Sequence, residues 1–114
     1  MGSATAVVRL SGEIDILAVR SLGPRLDALT TESRPDLVLD LRPVSFLDCA
    51  GLGLLCRVRN RVLARGGRLR LVVDGTRVPR VLRSARLTGV FDVHSDVPEN
   101  ITFAHGQDIT AAEG

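Results

Sequence analysis

The sequence contains no lysine, no tryptophan and no tyrosine, and only two cysteines. Each scarcity excludes something. Aromatics make up 3% of the 114 residues while hydrophobic residues reach 45%, so the core must be aliphatic, built from Leu and Val. At this length the chain is one domain with a modest but sufficient core. No apolar run approaches the ~20 residues that a membrane-spanning helix needs. No basic-plus-apolar leader opens the chain, which reads as cytoplasmic with no direct membrane insertion.

With lysine absent, all 15 basic residues are arginine, and 13 acidic residues leave a net charge of only +2. A nucleic-acid binder gathers charge on one face and adds aromatics for stacking. Arg57, Arg59, Arg61 and Arg65 cluster in one segment, and Arg77, Arg80, Arg83 and Arg86 recur at three-residue spacing in the next. They read as solvated helix faces, with an acidic partner surface as the second reading; no nucleic-acid partner is expected. Cys49 and Cys56 fall on one predicted helix, ~10 Å apart along its axis. A disulfide needs Cα atoms within about 7 Å, so these two cannot pair in an intact helix. His94 and His105 have no second ligand nearby in sequence, and neither a metal nor another cofactor is expected.

Hydrophobic periodicity predicts alternating strands and helices. Residues 6–11 read as a strand and Gly12 to Asp15 as its turn. A helical pattern runs from about Val19 to Thr31, with Leu22, Leu26 and Leu29 on one face; because Gly23-Pro24 sits badly in a helix interior, its regular part is expected to begin near Ser21, a candidate N-cap. Asp36 to Leu41 reads as a buried strand. A helix follows from Cys49 to Arg65, with Leu52, Leu55, Cys56, Val62 and Leu63 inward, stopped by Gly66-Gly67. Arg68 to Val73 is a strand, Val78 to Leu87 a short helix, and Val90 to Val93 a short strand. The fold class is therefore α/β, a small and mostly parallel sheet with helices packed against it. Residues 5–97 form the domain; residues 98–114 are a tail, either an edge strand or partly disordered.

The most informative stretch is Phe46-Leu47-Asp48-Cys49-Ala50-Gly51-Leu52-Gly53. An apolar run ends, Asp48 caps a new helix, and small residues fill its first turn. Gly51 and Gly53 keep side chains off that turn, where another molecule can approach open N–H groups. This stretch resembles the signature of the STAS family, the anti-sigma-factor antagonists of bacteria, which usually carry Asp-Ser-Ser-Gly-Leu-Gly or Asp-Ser-Thr-Gly-Leu-Gly here. Leu10-Ser11-Gly12-Glu13-Ile14-Asp15 resembles the family's Gly-Glu-(Leu/Ile)-Asp element. Gly66 to Val72 and Val81 to Phe91 resemble the strand and short helix that follow, so the likeness covers residues 6 to 97 in order.

The resemblance implies a STAS fold and a regulatory binding module rather than an enzyme. Asp15, Asp48, Cys49, Ala50, Gly51 and Leu52 would form the contact surface for an anti-sigma factor of the serine-kinase type, with helix arginines steering an acidic partner. In phosphorylated family members a serine follows the signature aspartate and accepts phosphate from that kinase. The phosphate adds about two negative charges and breaks the complex. Here that position is Cys49 and the next is Ala50, which has no hydroxyl, so the site is expected not to be switched by phosphorylation. Cys49 is then a passive small residue, a thiol-based switch, or drift in a paralogue that has lost the serine. Cys56 is expected to pack in the core. The alternative function is a cytoplasmic STAS adaptor subunit of a membrane lipid-transport complex. Family members usually open with one more strand beside residues 6–11; Ile101 to Ala104 is expected to cover that edge, in the same subunit or in a dimer partner.

Overall fold

The computed structural model describes residues 5–97 together with the backbone of residues 103–110. The chain runs β1 (Thr5–Ile14), α1 (Ile16–Ala28), β2 (Asp36–Asp40), β3 (Val44–Leu47), α2 (Cys49–Ala64), β4 (Arg68–Val72), α3 (Arg77–Ser84), β5 (Asp92–His94) and β6 (Phe103–Thr110). Every strand pair among them is parallel. β1 is the hub: it pairs with β2 through Ala6–Arg9, with β3 through Gly12–Ile14 and with β6 through Thr5–Ser11. β4 adds to β2, and β5 closes that side. This is the α/β, parallel-sheet architecture that the alternating pattern predicts.

The strand alternation divides the sheet into two chemically different faces. Val8, Leu10, Leu37, Leu39, Leu69 and Leu71 join Ala18, Leu22 and Leu26 of α1, Leu55, Val58 and Val62 of α2, and Val78 and Leu82 of α3 in one aliphatic core. The side chains between them in register carry charge. Asp36 accepts a hydrogen bond from Thr5 at 2.7 Å and one from the buried Arg70 at 2.9 Å. Asp40, only 1% exposed, receives a two-pronged bond from Arg42 at 2.9 and 2.8 Å and a third from Arg9 at 3.3 Å. Val38 and Val72 lie in register beside these groups and are fully buried.

Several elements differ from the sequence reading. β1 does not turn at Gly12 but continues to Ile14. Gly12 takes φ +87°, a left-handed value that glycine adopts without penalty, and the register shifts there, so the glycine serves a bulge. α1 starts at Ile16 rather than near Ser21, because Asp15 caps it, and the buried series Ala18, Leu22, Leu26 carries it past Pro24. β3 has no counterpart in the sequence reading; its four residues are too few to show a period. β5 is Asp92–His94 rather than Val90 to Val93, and α3 ends at Ser84 rather than Leu87. In the tail, residues 101 and 102 lie outside the described residues, while Phe103–Thr110 pairs with β1 of the same chain.

Burial pushes the Asp40 carboxyl up, but hydrogen bonds from Arg42 and Arg9 outweigh it and hold it below the ordinary carboxylate range. A carboxylate that binds its proton more weakly folded than unfolded stabilises the fold above the unfolded pKa, about 3.9, and loses that contribution as pH falls through the lower folded value. Urea melts of Asp40→Asn should therefore show about 1–3 kcal/mol less stability at pH 7 and a flatter acid limb below about pH 4. An Asp40→Asn chain as stable as the parent at pH 7 would contradict this.

Candidate functional site

Ile14 and Leu47 are partners in register at the ends of β1 and β3, and each is followed by an aspartate that starts a helix. Asp15 accepts hydrogen bonds from the N–H groups of Leu17 at 3.1 Å and Ala18 at 2.9 Å. Asp48 accepts from the N–H of Gly51 at 2.9 Å. The two caps share one backbone geometry, φ −108° and ψ −174° at Asp15 against φ −100° and ψ −173° at Asp48. The N–H of Asp48 donates to the Ile14 carbonyl at 3.4 Å, tying the two strand ends together. Parallel pairing thus places two capped helix N-termini side by side, one residue beyond the sheet.

The predicted site residues divide into two groups. Cys49 is exposed at the first position of α2, and Asp15, Asp48 and Ala50 are half-buried around it. Gly51 and Leu52 are buried and turned to the core, so they hold the site's shape rather than its surface. A Cβ on Gly51 would stand 2.4 Å from the Ile14 carbonyl oxygen and 2.6 Å from Leu47 Cδ1. The first helical turn can lie against the strand ends only because that position has no side chain. Gly53 is different: nothing lies within 4 Å of where its Cβ would be. It borders a groove of about 390 Å³ between α1 and α2, lined by Val19, Gly23, Ala50 and Leu54. Cys56 packs against the core, and Leu63, read as inward, is exposed.

The α2 arginines each have a partner within the fold. Arg57 grips Asp27 of α1 through two bonds of 3.2 and 2.7 Å, and its hydrogen bond holds the Asp27 carboxyl below the ordinary range against partial burial. Arg61 donates to Thr30 at 2.9 Å, Arg65 to the Thr31 carbonyl at 2.9 Å, and Arg59 to the Val90 carbonyl at 3.1 Å. They tie α2 to its neighbours. Sequence reasoning also missed Ile16, Leu17 and Phe46, large apolar side chains exposed beside the two caps. Placing the start of α1 near Ser21 hid Ile16 and Leu17. Among the described residues no group of three or more His, Cys, Asp or Glu is placed to hold a metal, and no helix is long and apolar enough to cross a membrane.

Residues 3–100 match the STAS domain. The chain belongs to the STAS family. It is 31% identical over 86 residues to the anti-sigma-B factor antagonist of Bacillus subtilis (strain 168), covering 75% of this chain and 78% of that protein. Its fold is similar to the crystal structure of an anti-sigma factor antagonist from Mycobacterium paratuberculosis, with TM-score 0.68 and 29% identity over 76% of this chain and 74% of that one. Both names describe a regulatory role rather than a catalytic one. In this STAS domain the Asp-Cys-Ala-Gly-Leu-Gly segment is the capped start of α2, and the Gly-Glu-Ile-Asp segment is the bulge and strand end beside it.

The two glycines of the STAS signature should respond to alanine with opposite sign. Gly51→Ala must displace the Ile14 backbone or Leu47 and should cost about 1–3 kcal/mol. Gly53→Ala gains helix propensity in open space and should stabilise by up to ~1 kcal/mol. Thermal or urea melts check both; equal effects would contradict the packing described.

Proposed function

We propose that this STAS domain is an anti-sigma-factor antagonist that binds a kinase-type anti-sigma factor and thereby releases a sigma factor. The site supports the reading because its parts form one surface. Asp15 and Asp48 each order the first turn of a helix, so the surface between them is rigid before any partner arrives. A preorganised contact loses little conformational entropy on association. The names of the relatives point to the same partner class, and the domain is read as regulatory rather than enzymatic. Among the described residues no nucleophile, base and orienting group stand together at the strand ends, and His94 lies on β5.

We further propose that the site is not switched by phosphorylation. The single observation that carries this is the exposed Cys49 at the first position of α2, followed by Ala50. A kinase approaching this turn finds a thiol and a methyl group where an antagonist of the switched kind presents a hydroxyl. The carboxylates of Asp15 and Asp48 stand beside the same turn, and a phosphate added there would face both of them. With no hydroxyl present, the surface keeps one charge state, and binding is governed by the amounts of the partners.

Incubation with the cognate kinase-type anti-sigma factor and ATP, followed by intact-mass analysis, should add no phosphate to the parent chain. Cys49→Ser restores a hydroxyl at the same position and should take up one phosphate per chain. Phosphate on the parent at this turn would overturn the unswitched reading. Specific binding to subunits of a membrane transport complex, with none to an anti-sigma factor, would move the protein to the adaptor class.

A further inference from the structure

The first turn of α1 carries a feature that the fold does not require. Ile16 is 66% and Leu17 70% exposed, more than any other large apolar side chain among the described residues. The buried stripe of α1 is Ala18, Leu22 and Leu26, and neither residue belongs to it. A helix start favours acidic side chains near its unpaired N–H groups, yet the first turn of α1 holds none. Phe46 of β3, 48% exposed, adds a third apolar group at the same end of the sheet. The other exposed apolar residues, Leu63, Val90 and Val93, lie on the second half of α2 and around β5.

The patch has an acidic rim. Glu13 is in register with Phe46 across the β1–β3 pair, and both are exposed. Asp15 and Asp48 stand at the next strand ends, each spending a single carboxylate oxygen on its cap. Among the described residues no arginine forms an ion pair with Glu13, Asp15 or Asp48. Apolar anchors surrounded by unneutralised carboxylates fit a partner with an apolar pocket flanked by Arg or Lys. They do not fit a second copy, whose own patch would bring like charges together.

We propose that Ile16 and Leu17 are the apolar anchor for the anti-sigma factor, with Glu13, Asp15 and Asp48 pairing with a basic rim on that partner. This rests on the functional reading above and names the residues that supply its affinity. Asp15 therefore has two tasks: it caps α1, and it fixes the direction in which the two anchors project. The fold places both anchors in a solvent-facing turn, which is where an isolated monomer has least use for them.

The test is titration calorimetry of the full chain against the purified kinase-type anti-sigma factor of the same bacterium. Ile16→Ala/Leu17→Ala should lower affinity on the order of 30-fold or more while leaving the melting transition in place, since both side chains are exposed and alanine suits a helix. Leu63→Ala/Val93→Ala, exposed apolar residues on α2 and β5, should bind as the parent does. Glu13→Gln should reduce the loss of affinity between low and high salt. If the parent binds and the Ile16→Ala/Leu17→Ala variant binds within about twofold of it, the anchor is overturned and the functional reading stands. If the parent does not bind, the functional reading fails and the anchor with it. A parent that is dimeric alone and becomes monomeric in the double variant assigns the patch to self-association and also overturns the proposal.

Discussion

The contact between Gly51 and the Ile14 carbonyl is the constraint on which the site depends. Two parallel strands end together, and a helix leaves each of them at once, within one residue. Such crowding is tolerated because the first turn of α2 presents only a hydrogen atom to the strand end. Asp48 then closes the turn by accepting the Gly51 N–H, the same residue that makes the close approach. The cap and the missing side chain are two halves of one solution. Moving either would separate the helix starts, and with them Asp15, Cys49 and the exposed apolar pair on α1.

Several arginines form ion pairs that hold the fold together. Arginine is the only cationic side chain besides histidine, and its planar fork suits the bidentate ties seen at Asp40 and Asp27. On one face of the sheet these ties let Val38 and Val72 be fully buried without a layer of helices in the core cluster over them. Between α1 and α2 they fasten the two helices whose starts form the site. Among the described residues Glu13, Asp15 and Asp48 at the strand ends have no such partner, nor do Glu32 and Asp74, so the proposed binding surface keeps its negative charge.

The architecture was legible because apolar runs alternate with amphipathic segments, although β3, only four residues long, escaped the reading. The signature helix was legible from Asp48 and Gly66-Gly67 alone. The start of α1 was not, since Gly23-Pro24 argued for a late start, and only tertiary burial of Ala18, Leu22 and Leu26 overrides that. Gly51 and Gly53 look equivalent in sequence, yet one is fixed by packing and the other faces open space. The helix arginines illustrate the same limit. Their spacing suggested a solvated face, and Arg57 and Arg65 are exposed, yet only the fold shows that Asp27 and Thr30 lie across from the helix. Spacing reports which residues share an element; what stands opposite is a property of the packed structure.

Under the proposed function this domain frees a sigma factor and stays able to do so in the presence of a kinase and its nucleotide. The most direct measurement is a competition assay with a fluorescently labelled sigma factor bound to the kinase-type anti-sigma factor, with this protein added and followed over hours in ATP. Sigma should be displaced and remain displaced, with no phosphate on the chain. Failure to displace sigma, or displacement that decays in ATP as phosphate accumulates on this protein, would contradict it.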